Sequence, residues 1–112
     1  MSSKKNSFST SDRRFMKLAL NLAKANLNLT GLNPSVGCVI VKNDEIISYG
    51  QTGLKGRPHA EYVAIKNCKK NLQNSTMYVS MEPCTHYGKT PPCTNLIIKS
   101  KIKKLFYAIE DL

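Results

Sequence analysis

Residues 76–109 alternate between strand and helix patterns in an order that few folds accommodate. Residues 76–81 are β-branched and aromatic and predict a strand. A loop rich in Pro, Gly and Thr, a short helix from about Cys93 to Lys99, and a second strand at residues 104–109 follow. This order is a βαβ unit, whose crossover is right-handed and whose two strands are parallel.

A β-hairpin is predicted before this unit. Residues 36–41 form a continuous apolar run, and Asn43-Asp44 supplies residues that favour a tight turn. Residues 46–49 then predict the returning antiparallel strand. Together the hairpin and the βαβ unit predict an α/β protein with a mixed sheet.

The first helix is predicted by apolar residues that recur at helical spacing. Ser11-Asp12 offers its N-terminal cap, and Gly31 is placed to end it. A second helix is predicted to open at Pro58. Residues 1–11 predict a flexible polar lead-in, so residues 12–112 form the one predicted domain. The apolar stripe of the first helix consists of Phe15, Leu18, Ala19, Leu22, Ala25 and Leu29.

Composition narrows the class of protein. Hydrophobic residues make up 41% of the 112 residues, which excludes a disordered tail. No apolar run reaches the ~18 residues of a membrane span, and the first ten residues lack the apolar block of a signal peptide. These features predict a soluble, cytoplasmic protein.

The formal net charge of +10 has two interpretations. It can indicate attraction to nucleic acid or to phosphorylated small molecules. It can also reflect a lysine- and asparagine-rich composition displayed on solvated faces. Aromatic residues are not interleaved with the charges, which argues against nucleic acid. The net charge alone does not decide between these two interpretations.

Three short segments carry residues suited to metal chemistry. The other two cysteines are not assigned to a site: Cys38 is predicted to be a buried thiol, and Cys68 to have no functional role. One histidine and two cysteines match a catalytic zinc site, which has three nitrogen or sulfur ligands and a position for water. Two thiolates offset the Zn²⁺ charge, and the metal lowers the pKa of its water to about 7. The segments are Pro58-His59-Ala60-Glu61, Glu82-Pro83-Cys84 and Pro91-Pro92-Cys93.

The predicted ligands of Zn²⁺ are therefore His59, Cys84 and Cys93, with Glu61 as a general acid and base. Residues two apart do not share a helix face, so His59 and Glu61 can both address a metal only at a helix end. Taken singly, His59 could be a surface residue, a cysteine a core thiol, and Glu61 a charge that complements the helix dipole. Those separate interpretations leave unexplained why three potential ligands each stand beside a proline at an element boundary.

These residues resemble those of the zinc nucleoside and nucleotide deaminases, whose signature is H-x-E followed by P-C-x-x-C. The second half departs from that signature, because eight residues separate Cys84 from Cys93 where cytidine and tRNA-adenosine deaminases have two. Residues 33–41, 56–61 and 82–93 are similar instead to the riboflavin-pathway deaminase, the N-terminal domain of a bifunctional deaminase/reductase. The resemblance covers about residues 15–111.

The resemblance implies a cytidine deaminase-like three-layer α/β/α fold. It also implies hydrolytic deamination of 2,5-diamino-6-ribosylamino-4(3H)-pyrimidinone 5′-phosphate to 5-amino-6-ribosylaminouracil 5′-phosphate and ammonia. Glu61 would pass a proton from water to a ring nitrogen and then to the departing ammonia. Asn33 is implied to contact the pyrimidine and Thr52 to line the substrate site. Lys89 is a candidate for the substrate phosphate, with an exposed loop lysine as the equal alternative.

The resemblance also leads us to expect a C-terminally short domain, because family domains continue with a further strand and helix past the strand at residues 104–109. A reductase domain commonly follows, so reductase activity is expected elsewhere. Association between copies of the chain is expected too. Two alternatives stay open: a nucleic-acid or nucleoside base deaminase, which the net charge favours and the long cysteine spacing does not, and an inactive, truncated zinc module.

Overall fold

The computed structural model describes residues 9–31, 34–80 and 93–108, which form three α-helices and a four-stranded sheet. The helix predicted at Cys93–Lys99 is confirmed with the same bounds. Among the described residues, no helix is long and apolar enough to cross a membrane. The elements in chain order are α1 (Thr10–Ala25), β1 (Gly37–Lys42), β2 (Glu45–Gln51), α2 (Ala60–Asn67), β3 (Thr76–Val79), α3 (Cys93–Lys99) and β4 (Lys104–Tyr107).

The sheet has the strand order β2-β1-β3-β4 and is mixed, as predicted. Strands β1 and β2 form the predicted antiparallel hairpin, and β3 and β4 form the predicted parallel pair. The antiparallel pairing of β1 with β3 joins the two units into one sheet. The hairpin turns at Asn43 and Asp44, which both have positive φ, 53° and 64°. Two such residues form a turn whose twist matches that of the flanking strands, and Asn and Asp tolerate this conformation.

Helices cover both faces of the sheet, which confirms the three-layer α/β/α fold. Strand β1 is central, and its successive side chains point to opposite faces. Both sets are buried, which explains why the segment is apolar without alternation. On one face, α1 buries Phe15, Met16 and Ala19 against Val39, Val41 and Tyr78. On the other, α2 and α3 bury Ala60, Ala64 and Ile97 against Cys38, Ile40, Met77 and Val79.

Helix α1 differs from its prediction at both ends. It begins at Thr10, because Ser9 forms a capping box with Asp12: the Ser9 hydroxyl accepts from the Asp12 N–H, and the Asp12 carboxylate accepts from the Ser9 N–H, both at 3.0 Å. The prediction that the helix continues to Gly31 is wrong, since it ends at Ala25 and Leu29 is 52% exposed. Tertiary hydrogen bonds redirect the chain here, because Lys55 N–H donates to the Leu29 carbonyl at 2.8 Å.

Helix α2 begins at Ala60, so the prediction that Pro58 opens it is wrong; His59 is the N-cap. The helix packs on β2 at very short range. A Cβ atom placed on Gly50 would lie 2.6 Å from the Ala60 carbonyl oxygen and 2.8 Å from the Ala64 nitrogen. The buried Ser48 hydroxyl donates to the Ala64 carbonyl at 2.6 Å. This packing fixes the N-terminal turn of α2, which carries the predicted site residues, against the sheet.

Candidate metal centre

His59 and Cys93 meet at the N-terminal ends of two helices that pack on the same face of the sheet. His59 occupies the N-cap position of α2, but its side chain makes no capping hydrogen bond. Cys93 is the first residue of α3 and is 4% exposed. The His59 Nδ1 and Cys93 Sγ atoms are 3.5 Å apart. The structure therefore brings together two of the three predicted ligands, at the helix ends where they were expected.

The separation of these two atoms fits a shared zinc ion. Zinc binds cysteine sulfur at about 2.3 Å and histidine nitrogen at about 2.0–2.1 Å in tetrahedral geometry, which together separate the two donor atoms by about 3.6 Å. The observed distance of 3.5 Å agrees with that value. An imidazole nitrogen and a thiolate are also donors that zinc prefers over harder oxygen ligands. The residues present therefore fit the metal.

Glu61 lies in the first turn of α2, two residues after His59, and is only 4% exposed. Burial raises the pKa of Glu61 above its ordinary value, because a carboxylate loses water contacts, and a backbone hydrogen bond opposes the shift. A carboxyl group with a raised pKa holds and releases a proton more readily near neutral pH. The position and burial of Glu61 suit the predicted acid and base role.

Cys38 lies close to the same group of residues. It is fully buried on β1, which confirms its prediction as a core thiol. Burial raises the pKa of Cys38 well above its ordinary value, and the nearby charges of Glu61 and Cys93 raise it further. Cys38 is therefore a neutral thiol at neutral pH. Hydrophobic periodicity predicted its burial but carries no information about which residues lie next to it.

Thr52 lies in the loop between β2 and α2 and is 2% exposed. Its hydroxyl accepts a hydrogen bond from the Val36 N–H at 2.9 Å, and its carbonyl accepts one from the Asn26 side chain at 2.8 Å. These bonds link Thr52 to the end of α1 and to the residue before β1. A contact between Thr52 and the substrate stays a prediction.

The remaining predicted site residues, Asn33, Cys84 and Lys89, lie outside the described residues. In the described part of the chain, no three His, Cys, Asp or Glu residues form a group that could hold a metal ion. That part contains two of the three predicted ligands, His59 and Cys93. Cys84 as the third ligand stays a prediction.

Residues 9–109 match the model of a protein family described as the cytidine and deoxycytidylate deaminase zinc-binding region. The chain belongs to this family. The matched residues include Cys38 on β1, His59 at the N-cap of α2 and Cys93 at the start of α3.

Two relatives of this chain are named, one for riboflavin biosynthesis and the other for the deamination of a pyrimidine. Riboflavin biosynthesis protein RibD of Actinobacillus pleuropneumoniae is 49% identical over 107 residues, 95% of this chain and 28% of the relative. The diaminohydroxyphosphoribosylamino-pyrimidine deaminase of Buchnera aphidicola is 46% identical over 91 residues, 81% of this chain and 62% of the relative. The chain thus spans less than a third of the first relative and under two thirds of the second.

A solved structure confirms the fold assignment. The diaminohydroxyphosphoribosylaminopyrimidine deaminase/5-amino-6-(5-phosphoribosylamino)uracil reductase of Thermotoga maritima superposes with a TM-score of 0.79 at 45% sequence identity. The superposition covers 84% of this chain and 28% of that structure. The three-layer architecture described above is therefore the cytidine deaminase-like fold.

Proposed function

We propose that this chain is a zinc-dependent deaminase domain of riboflavin biosynthesis. Its substrate would be 2,5-diamino-6-ribosylamino-4(3H)-pyrimidinone 5′-phosphate, and its products 5-amino-6-ribosylaminouracil 5′-phosphate and ammonia. The observation that carries the proposal is the 3.5 Å approach of His59 Nδ1 to Cys93 Sγ beside the buried Glu61. The relatives named for riboflavin biosynthesis and for this deamination support the choice of substrate.

In this proposal His59, Cys93 and Cys84 hold the metal. Zinc, when bound, supplies a Lewis acid that makes water nucleophilic at neutral pH. The carboxyl group of Glu61 accepts a proton from the attacking water and delivers it to a ring nitrogen. It then carries the second proton of that water, left on the hydroxyl group added to the ring carbon, to the amino group, which departs as ammonia when the carbon–nitrogen bond breaks. Glu61 is suited to this because its low exposure keeps bulk water away from the proton it holds.

The finer parts of the proposal concern the substrate and the setting of the protein. Asn33 would contact the pyrimidine, Thr52 would line the site, and Lys89 would pair with the phosphate. The +10 net charge is compatible with a phosphorylated substrate. A reducing cytoplasm suits thiolate ligands, since disulfides are rare there. Association between copies of the chain, and reductase activity located elsewhere, belong to the same proposal.

The test combines metal analysis with an ammonia assay on the 112-residue chain. We expect one zinc ion per chain and release of ammonia from the diaminopyrimidine phosphate. Glu61→Gln should retain zinc and lose at least ~100-fold in turnover, because general acid and base catalysis typically contributes 10²–10⁴-fold. Glu45→Gln, which changes an exposed carboxylate on β2, is the matched control and should leave turnover unchanged.

Three outcomes would contradict parts of the proposal. Zinc binding without ammonia release from wild-type protein would favour the inactive module. Unchanged turnover in Glu61→Gln would remove Glu61 from its role. Preferential deamination of cytidine or of bases in single-stranded DNA in the same assay would overturn the substrate assignment.

A further inference from the structure

Buried hydroxyl groups tie together three chain segments at the start of β1. The segment at residues 35–37 lies between Asn33 in sequence and the rest of β1. One partner segment contains Thr52 and continues to His59; the other contains Ser80, which precedes Cys84 by four residues. We call this meeting point, formed by residues 35–37, Thr52 and Ser80, the hydroxyl junction.

Thr52 connects the junction to the segment that leads to His59. Its hydroxyl accepts from the Val36 N–H at 2.9 Å, and its own N–H donates to the Val36 carbonyl at 2.9 Å. The next residue, Gly53, donates its N–H to the Pro58 carbonyl at 2.9 Å. The hydrogen bonds of Thr52 to Val36 and of Gly53 to Pro58 thus connect the start of β1 to the residue that precedes His59.

Ser80 makes the same kind of connection at the end of β3. Its hydroxyl accepts from the Gly37 N–H at 2.8 Å, and its N–H donates to the Gly37 carbonyl at 2.9 Å. Ser80 is 0% exposed and Thr52 is 2% exposed, so water cannot replace either hydroxyl without a structural change. A buried N–H that loses its only good acceptor is costly, and the backbone shifts to satisfy it.

The junction is also anchored to α1. The buried Ser35 hydroxyl donates to the Ala23 carbonyl at 2.5 Å, and the Asn26 side chain donates to the Thr52 carbonyl at 2.8 Å. The Ser35 side chain and the Thr52 carbonyl, on two segments of the junction, thus both bond to the C-terminal end of α1. The segments are therefore held relative to the body of the fold as well as to one another.

We propose that Thr52 and Ser80 are positioning residues of the metal centre, because their hydroxyls hold the start of β1 in register with the segment leading to His59 and with the end of β3, which precedes Cys84 in sequence. This proposal rests on the proposed function and assigns Thr52 a task that does not require it to touch the substrate. Metal sites depend on such outer contacts because small shifts of a ligand change affinity strongly.

The experiment measures the affinity of the full 112-residue chain for Zn²⁺ by competition with a chromogenic chelator, and records the visible spectrum of the Co²⁺-loaded protein. Thr52→Val keeps the shape of the side chain and removes the hydroxyl, while Thr52→Ser restores it. We expect Thr52→Val and Ser80→Ala each to raise the zinc dissociation constant roughly tenfold or more. We expect Thr52→Ser to recover most of the affinity, and the Co²⁺ bands to shift only in the two hydroxyl-deleted variants.

Ser75→Ala is the matched control. Ser75 stands at the opposite end of β3, is 0% exposed, and donates its hydroxyl to the Leu72 carbonyl at 2.6 Å. All variants are compared at a temperature where circular dichroism shows them folded. Lower stability with unchanged zinc affinity in Ser75→Ala, beside weakened affinity in Ser80→Ala, supports the proposal.

Other results overturn the proposal in distinguishable ways. If Ser80→Ala and Thr52→Val bind zinc as tightly as the control Ser75→Ala, the role of the Thr52 and Ser80 hydroxyls is purely structural. That result would leave the proposed function intact. Wild-type protein without zinc affinity would contradict the proposed function itself and remove the junction's role with it. If either Thr52→Val or Ser80→Ala does not fold, the other variant decides: a Co²⁺ spectrum identical to that of the wild-type protein overturns the proposal.

Discussion

The Nδ1 atom of His59 lies 3.5 Å from the Sγ atom of Cys93, although 34 positions separate the two residues in sequence. Each stands at the start of a different helix, and both helices pack on the same face of the sheet through Ala60, Ala64 and Ile97. The distance matches two ligands of one tetrahedral zinc ion. The core packing beneath the helices thus sets the spacing of the candidate metal centre.

Replacement of Cys93 is expected to weaken zinc binding far more than replacement of another cysteine. Cys93→Ser should raise the zinc dissociation constant at least ~100-fold, since even outer contacts of a metal site contribute 10–100-fold. Cys68→Ser is the control, because Cys68 is a half-buried thiol that contacts the Ile47 and Lys70 carbonyls. Equilibrium competition with a zinc indicator measures both. Equal affinities for the two variants would exclude Cys93 as a ligand.

Zinc is expected to stabilise the folded chain, because the ligands converge only after folding. Free zinc at one hundred times its dissociation constant should add about 2.7 kcal/mol to the free energy of unfolding. For a domain of this size that corresponds to a rise of about 10 °C or more in Tm. Calorimetry before and after treatment with a chelator checks this, and His59→Asn should abolish the difference. A Tm that does not change when zinc is removed would argue against a metal site formed on folding.

Gly50→Ala is expected to destabilise the protein by about 1–3 kcal/mol or more, since overpacking forces neighbouring atoms apart. The added methyl group would meet backbone atoms of Ala60 and Ala64, which cannot rotate away as a side chain could. Because the displaced turn of α2 carries His59 and Glu61, zinc affinity should fall together with stability. Urea denaturation and zinc titration measure the two effects. Wild-type stability in this variant would contradict the close approach of α2 to β2.

The stability of the fold is expected to fall as the pH drops below about 4, through Asp12. The Tyr78 hydroxyl donates to the Asp12 carboxylate at 2.5 Å, and the Ser9 N–H donates to its other oxygen. Burial acts to raise the pKa of Asp12, but these hydrogen bonds outweigh it and lower the pKa below the ordinary value of 3.8. The unfolded chain therefore binds more protons near that pH, so stability is present above it and is lost as the pH falls through the folded pKa.

Tyr78→Phe tests this relationship, because it keeps the ring that packs on Phe15 and Phe106 and removes only the hydroxyl. We expect a loss of about 1 kcal/mol at pH 7, since hydrogen bonds to charged groups contribute modestly at partly exposed sites. The loss should shrink toward zero when Asp12 is protonated in both proteins. Tyr49→Phe, at a tyrosine that is 61% exposed, is the control. A Tyr78→Phe deficit that is independent of pH would contradict the role of the Asp12 carboxylate.

The local elements that the sequence predicted well are those with strong short-range signals. Asn43 and Asp44 form the hairpin turn because their side chains tolerate positive φ. The helix at Cys93–Lys99 was predicted within its bounds, and the parallel pairing of β3 with β4 followed from the crossover rule. The errors lie where tertiary contacts override periodicity. Leu29 continues the apolar stripe of α1 in sequence, yet the helix ends at Ala25, where Asn26 bonds to Thr52.

The sequence by itself determined which residues have the chemistry for a metal site, because one imidazole, two thiols and a carboxyl group are recognisable from type and spacing. It also determined the succession of strands and helices along the chain, since turn chemistry and hydrophobic periodicity act over a few residues. Only the tertiary structure decided that His59 and Cys93 approach to 3.5 Å and that the Thr52 and Ser80 hydroxyls bond to the start of β1. Distances of that kind depend on how α2, α3 and three strands pack against one another, and no local pattern encodes them.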